Sequence, residues 1–142
     1  MRGPSDELWK AYEATDYLAD TPWGTLSIRI GRRNARLDAL LARFDAKTWA
    51  FVTAHNPGSE LLDDASNAAR HELLLAAIER RRFPCFPGRG CGEDGTWPAE
   101  ESLLVIGISP EQAAEIGRLF GQYAVVCGCL GDPAELFPCR TP

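Results

Sequence analysis

Thr48-Trp49-Ala50-Phe51-Val52-Thr53-Ala54, followed by His55-Asn56-Pro57-Gly58-Ser59 and a long amphipathic segment to Arg82, is the stretch from which the rest of the chain is read. The first seven residues are apolar on both faces except at Thr53, the pattern of an interior strand covered on each side. Pro57 offers no N–H to a ladder and biases Asn56 away from helical angles, so the strand must end at about His55. The order is therefore buried strand, polar turn, helix. Where helices pack on a sheet, ligands commonly lie beyond the carboxyl ends of its strands. Asn56, Ser59 and His55 would project there, although Asn and Ser also stabilise turns by bonding their own backbone.

The helix expected from about Asp63 to Arg82 carries Asp63 and Asp64 at its amino end. Carboxylates already occupying the positive end of the helix dipole make a poor phosphate cradle, so the turn is not a P-loop. Asn67 lies three residues before Arg70 and four before His71, which puts all three near the turn on one helix face.

Upstream, Pro4-Ser5 can cap a helix from Asp6 to about Thr15 whose Leu8, Trp9 and Tyr12 share a buried face. Leu26-Ser27-Ile28-Arg29-Ile30 alternates as a half-exposed strand should. Asn34 then caps a helix with Leu37, Leu40, Leu41 and Phe44 at i, i+3, i+4, i+7. Downstream, residues 83–99 hold most of the chain's clustered Pro and Gly and read as a loop, a flap over a site or plain solvent-facing chain. Gly88-Arg89-Gly90-Cys91-Gly92 resembles a dinucleotide fingerprint only superficially, since it neither follows a clear strand nor opens a helix. Ser102–Ile108 is a continuous apolar strand. Ser109-Pro110-Glu111-Gln112 is a capping box with Pro at the first helical position, opening a helix to Phe120 that buries Ala113, Ile116, Gly117 and Phe120. Tyr123–Cys129 reads as another buried strand, completing a crossover long enough for a βαβ unit. Residues 130–142 read as an edge segment or tail. The fold class is α/β or α+β, a single mixed-sheet domain over 1–142 with about four to five strands and about four helices.

A chain of 142 residues with 45% hydrophobic content is long enough to bury a core without disulfide or metal staples. It contains no run of eighteen apolar residues, and Met1-Arg2-Gly3-Pro4-Ser5-Asp6-Glu7 lacks the apolar core of a signal peptide, so no membrane association and a cytoplasmic location are expected. Five cysteines, an odd number, are then expected as thiols. A net charge of −5 disfavours nucleic acid as a partner. The basic islands Arg29/Arg32/Arg33/Arg36 and Arg80–Arg82 belong to a chain with thirteen Arg against two Lys, a bias that genome composition explains as readily as phosphate recognition.

Cys85, Cys91, Cys127, Cys129, Cys139 and the two histidines match no zinc-finger, ribbon or catalytic spacing, so neither a metal nor a cofactor is expected. Cys127 and Cys129 face one way on a strand, which suits core packing. No motif pairs a cysteine nucleophile with His55 or His71. Glu100, Glu101 and Ser102 fall where the loop enters a strand, and one acid there could act beside Asn56.

Thr15 and Tyr17, Thr53-Ala-His-Asn-Pro-Gly-Ser59, Asn67 with Arg70, Trp97-Pro-Ala-Glu-Glu-Ser102 followed by Leu-Leu-Val-Ile-Gly-Ile, and Phe120-Gly-Gln-Tyr-Ala124 occur in that order. In this combination the chain resembles the bacterial family catalogued as domain of unknown function 3293. The resemblance covers nearly the whole chain and implies no established activity. It implies that Asn56, Asn67, Glu100, Ser102 and Gln122 are the recurring polar positions; His55 stands where an aromatic is more usual, and Tyr123 where Asn is common.

Asn, Ser and Gln supply orienting hydrogen bonds rather than strong acid–base chemistry, which leaves Glu100 as the catalytic candidate. Asn56, Ser59, Asn67, Arg70, Ser102 and Gln122 are the ligand-binding candidates. The expectation is a small domain binding a polar small molecule or nucleotide-like ligand, with hydrolase or transferase chemistry within reach. The alternative is a non-catalytic protein-interaction domain, whose polar cluster is a buried network and whose partner is a protein.

Overall fold

A computed structural model describes residues 6–93, 95 and 98–139. The expected Pro4-Ser5 cap, Trp97 of the motif and the last three residues lie outside them. Among the described residues are four α-helices and one seven-stranded sheet, so the chain mixes α and β as expected but has more strands than the expected four to five.

The organising strand is β3, Thr48–Thr53. Its pleat sends Trp49 and Phe51 to one face and Ala50 and Val52 to the other, and all four are buried. It pairs antiparallel on both sides, with β5 (Glu100–Ile106) and with β6 (Ala124–Cys129). β5 pairs antiparallel with β4 (Cys85–Cys91) on its far side. Consequently β3 and β4 run parallel with β5 between them, and β5 and β6 run parallel with β3 between them.

Each parallel pair is joined by a helix: α3 (Asp64–Arg80) connects β3 to β4, and α4 (Pro110–Leu119) connects β5 to β6. The expected crossover at β5-α4-β6 is therefore present, but it steps over one strand. The order β4-β5-β3-β6 with chain order β-α-β-β-α-β is the connectivity of the split βαβ, or ferredoxin-like, arrangement. Both helices pack on the same face, where Leu74, Ile78, Ala113 and Ile116 meet Ala50, Val52, Leu103, Val105 and Val125.

Outside this unit, β1 (Asp16–Thr21) and β2 (Gly24–Ile28) extend the sheet beyond β4, and β7 (Glu135–Pro138) extends it beyond β6. The two outer margins then meet. Ile30, just past β2, bridges Ala134, just before β7, and the Gly31 N–H donates to the Ala134 carbonyl at 2.7 Å. This closure curls the sheet into a half-barrel. Its inner face buries a second core of Tyr17, Leu26, Ile28, Trp49, Phe51, Leu104, Ile106 and Val126 under Leu37, Leu40 and Leu41 of α2 (Ala35–Arg43).

Several local expectations change for identifiable reasons. Residues 85–91, read as part of a Gly/Pro-rich loop over 83–99, form β4. Gly88 lies so close to its neighbours that a Cβ would come within 2.5 Å of the Leu18 carbonyl oxygen and 2.8 Å of the Phe51 ring, so glycine here permits strand packing rather than ending the strand. Residues 135–138 of the expected tail or edge segment form β7. Cys129 lies at the end of β6, exposed, whereas Cys127 is buried. Leu8, Trp9 and Tyr12 of α1 (Asp6–Glu13) are half-buried rather than buried, and no residue of that helix is fully buried. The reason is that α1 roofs a cavity.

Candidate functional site

The turn after β3 is built around Asn56, whose φ of 49° and ψ of 61° put it in the left-handed region. Asn tolerates that region better than most residues, and Gly58 at φ 64° and Ser59 at φ 61° continue the tight path. The conformation is held by a reciprocal pair. The Asn56 N–H donates to Asn67 Oδ1 at 2.9 Å, and Asn67 Nδ2 donates to Asn56 Oδ1 at 2.9 Å. Leu62 N–H adds a third bond, at 2.9 Å, to the same Asn56 oxygen. These bonds leave the Asn56 amide nitrogen pointing to Glu100, whose Oε2 it reaches at 2.7 Å.

Glu100 was expected at a loop exit. It is instead the first residue of β5, and the strand pleat decides its role: Glu100 and Ser102 face the hollow of the half-barrel, and Glu101 faces the opposite side. The hollow at this end is a cavity of about 460 Å³ beneath α1, within the size range of small-molecule sites. Its floor is Phe51, Val126 and Leu136, and its rim carries Asn56, Ser59, Glu100, Ser102 and Gln122. Gln122 Nε2 donates to the His55 carbonyl at 2.9 Å, and Ser102 Oγ donates to the Glu100 carbonyl at 2.9 Å. Asn56 and Glu100, forty-four residues apart, are thus in direct contact.

The other two candidates stand outside the cavity wall. Asn67, buried in α3, braces the turn through Asn56. Arg70 is a staple: its Nε donates to the Ala54 carbonyl at 2.6 Å and one of its terminal nitrogens to the Phe120 carbonyl. Helical spacing put Asn67 and Arg70 near the turn, and their actual partners are backbone or amide groups that hold the turn in shape.

Further cavity residues escape sequence reasoning. Tyr12, Thr15, Tyr17 and Thr53 contribute hydroxyls, and Glu93 a second carboxylate. Tyr17 Oη donates to the Tyr12 carbonyl at 2.8 Å, tying β1 to the α1 roof, while Tyr12 Oη lies 3.4 Å from Ser59 Oγ. Burial pushes the Tyr12 phenol above its ordinary value, opposed by the Ser59 contact and reinforced by the Glu100 charge. Burial also raises the Tyr17 phenol. Both hydroxyls are therefore protonated donors at neutral pH. Tyr12 was legible as part of a buried helix face, and Thr15, Tyr17 and Thr53 only as members of the family motifs; their shared cavity depends on the curl of the sheet, which has no local sequence signal.

Chemically, the wall combines hydroxyls, two side-chain amides from Asn56 and Gln122, two carboxylates and an apolar floor. It contains no Lys, Arg or His among the described residues. His55 and His71 lie instead beside Glu101 on the far side of the sheet, and burial is the main cause that lowers the His55 imidazole below its ordinary value. No helix among the described residues is long and apolar enough to cross a membrane.

No curated protein and no solved structure matches the chain. A family model described as "Protein of unknown function (DUF3293)" matches residues 52–125. That span is just over half of the 142 residues and runs from β3 into β6, through the turn, α3, β4, β5 and α4. With Asn56, Asn67, Glu100, Ser102 and Gln122 all inside it, the chain belongs to the DUF3293 family.

Proposed function

We propose that this chain binds a small molecule in the cavity under α1, with Glu100, oriented by Asn56, as the group that recognises the ligand's polar end. The observation that carries the reading is the contrast between the apolar floor of Phe51, Val126 and Leu136 and the carboxylate held at the rim by the 2.7 Å bond from Asn56. Such a wall suits a ligand with an apolar body and a neutral or cationic hydrogen-bond donor. Of the polar and nucleotide-like ligands considered from sequence, a phosphate-bearing one is the poorer fit, because the wall offers Glu93 and Glu100 and, among the described residues, no cation. If a reaction follows binding, Glu100 is its proton-transfer group, and hydrolase or transferase chemistry would depend on it.

A thermal-shift screen tests this reading with matched ligands: amphipathic alcohols and amines against phosphate esters of the same bodies. The expected result is stabilisation by the former that is lost in Glu100→Gln. No stabilisation by any of them, or stabilisation equal in Glu100→Gln, would overturn it. The interaction-domain alternative draws on Leu73 and Leu119, 63% and 69% exposed, which with Ala77, Arg80, Arg81 and Phe120 line a shallow groove beside α3 and α4. A protein partner released by Leu73→Asp, with no small-molecule response, would favour it.

A further inference from the structure

On the opposite side of the sheet from the cavity, three side chains from three elements converge. His55 follows β3, His71 lies in α3, and Glu101 is the second residue of β5. A donor atom from each lies within 4.8 Å of the other two. Nε2 of His55 is 3.7 Å from one Glu101 oxygen, and Nε2 of His71 is 3.7 Å from the other. The imidazole planes are nearly perpendicular, at 89°, with centroids 6.2 Å apart.

The distances to Glu101 are too long for hydrogen bonds. A histidine donating to a carboxylate closes to about 2.7–2.9 Å, and neither histidine does so. Both rings are mostly covered, with side-chain exposures of 13% and 12%, and Nε2 of His55, the atom that faces Glu101, is buried without a hydrogen-bond partner. Leaving such an atom unsatisfied is costly.

Around a tetrahedral zinc ion, bonds of about 2.0–2.1 Å place neighbouring donor atoms roughly 3.3–3.4 Å apart. The two histidine-to-carboxylate distances of 3.7 Å, each to a different Glu101 oxygen, exceed that by a few tenths of an ångström, and all three donors lie within 4.8 Å of one another, so small side-chain rotations would bring them onto one ion. We propose that His55, His71 and Glu101 form a binding site for a divalent first-row transition ion, zinc by the match of two imidazoles and one carboxylate.

The donor set is wrong for calcium or magnesium, which take oxygen ligands. Glu101, with 58% of its side chain exposed, lies at the open side, so the remaining coordination position faces solvent. Three protein ligands and one open position is the pattern of reactive rather than purely structural zinc sites. Sequence reasoning missed the site because its ligands are spaced sixteen and thirty residues apart in no known motif and meet only when β3, α3 and β5 are assembled. The site is distinct from the cavity, since none of its three residues lines that wall.

The test uses the full chain stripped with a chelator and titrated with zinc alone, then with cobalt alone. One equivalent of zinc should bind and raise the melting temperature. Cobalt should give ligand-field bands without thiolate charge transfer. Both Glu101→Gln and His71→Gln should weaken zinc binding at least about ten-fold, as loss of a ligand should exceed loss of a supporting contact. Because Glu101 is largely exposed, Glu101→Gln should stay folded even if His71→Gln does not, and it then decides alone. Absence of stoichiometric zinc binding, unchanged affinity in Glu101→Gln, or a thiolate band that assigns the metal to the cysteines would overturn the proposal.

Discussion

Asn56 commits every hydrogen-bonding group of its side chain and its own N–H: to Asn67, to Leu62 and to Glu100. It is 4% exposed, so those bonds have little water to replace them. Removing the brace should therefore be costly. Asn67→Ala leaves the Asn56 N–H without its acceptor and should destabilise the fold by about 1–3 kcal/mol, read from urea denaturation; an unchanged midpoint would mean that the turn does not need the pair. Glu100→Gln is predicted to behave differently, because the glutamine carbonyl can still accept from Asn56. Its melting temperature should stay near that of the unmodified chain while ligand response is lost. In sequence, Asn56, Ser59, Asn67 and Arg70 were legible as a group near one turn, with Glu100, Ser102 and Gln122 on other elements. The cluster's division into residues that line the cavity (Glu100, Gln122) and residues that brace the turn from outside it (Asn67, Arg70) was not, because helical spacing tells which residues share a face but not what that face meets. At the thiols, burial pushes Cys127 up to about 12 and Cys139 up to about 11, keeping both protonated at neutral pH. Cys129 is exposed. Iodoacetamide labelling followed by peptide mass analysis should therefore modify Cys129 first and Cys127 and Cys139 last; fast labelling of Cys127 would contradict its burial.

At the scale of elements, the caps were the most readable features. Ser109 accepts from the Gln112 N–H at 3.1 Å and Gln112 Oε1 accepts from the Ser109 N–H at 3.0 Å, completing the box seen in sequence. Ser109→Ala should cost on the order of 1 kcal/mol in denaturant unfolding. Asp63 caps α3 by accepting from the Ser66 N–H at 2.6 Å, and that backbone hydrogen bond holds its carboxyl below the ordinary value. A carboxyl depressed in the folded state contributes stability above its unfolded value and loses it as pH falls through the folded one. Asp63→Asn keeps a capping side chain, so it should change little at neutral pH and flatten the acid limb below about pH 4. Urea midpoints compared across that range check the sign: an equal loss at both ends would contradict it. The glycine-rich β4 was the least readable element, because period and β-propensity fail when packing demands the absence of a side chain. Gly88→Ala, with its Cβ against Leu18 and Phe51, should cost roughly 1–3 kcal/mol. Gly90→Ala meets nothing nearer than 3.7 Å and should be nearly neutral.

Over the whole molecule, the β-α-β-β-α-β unit accounts for one core, and its alternation of apolar strands with capped helices made that half legible. The second core depends on β1, β2 and β7 curling the sheet until Ile30 meets Ala134, a contact between segments about a hundred residues apart that no window of sequence encodes. The curl creates the hollow, α2 fills one part of it, and α1 roofs the cavity with half-buried side chains. Function is thus proposed for the part of the fold that local patterns describe least well. Native mass spectrometry of the chain purified from cells, alongside Glu100→Gln and a cavity-narrowing Gly90→Val, examines that proposal most directly. The account predicts a small-molecule adduct on the unmodified chain that is reduced or lost in both variants, each still folded. An unmodified chain that carries no adduct, or the same adduct on all three, would contradict it.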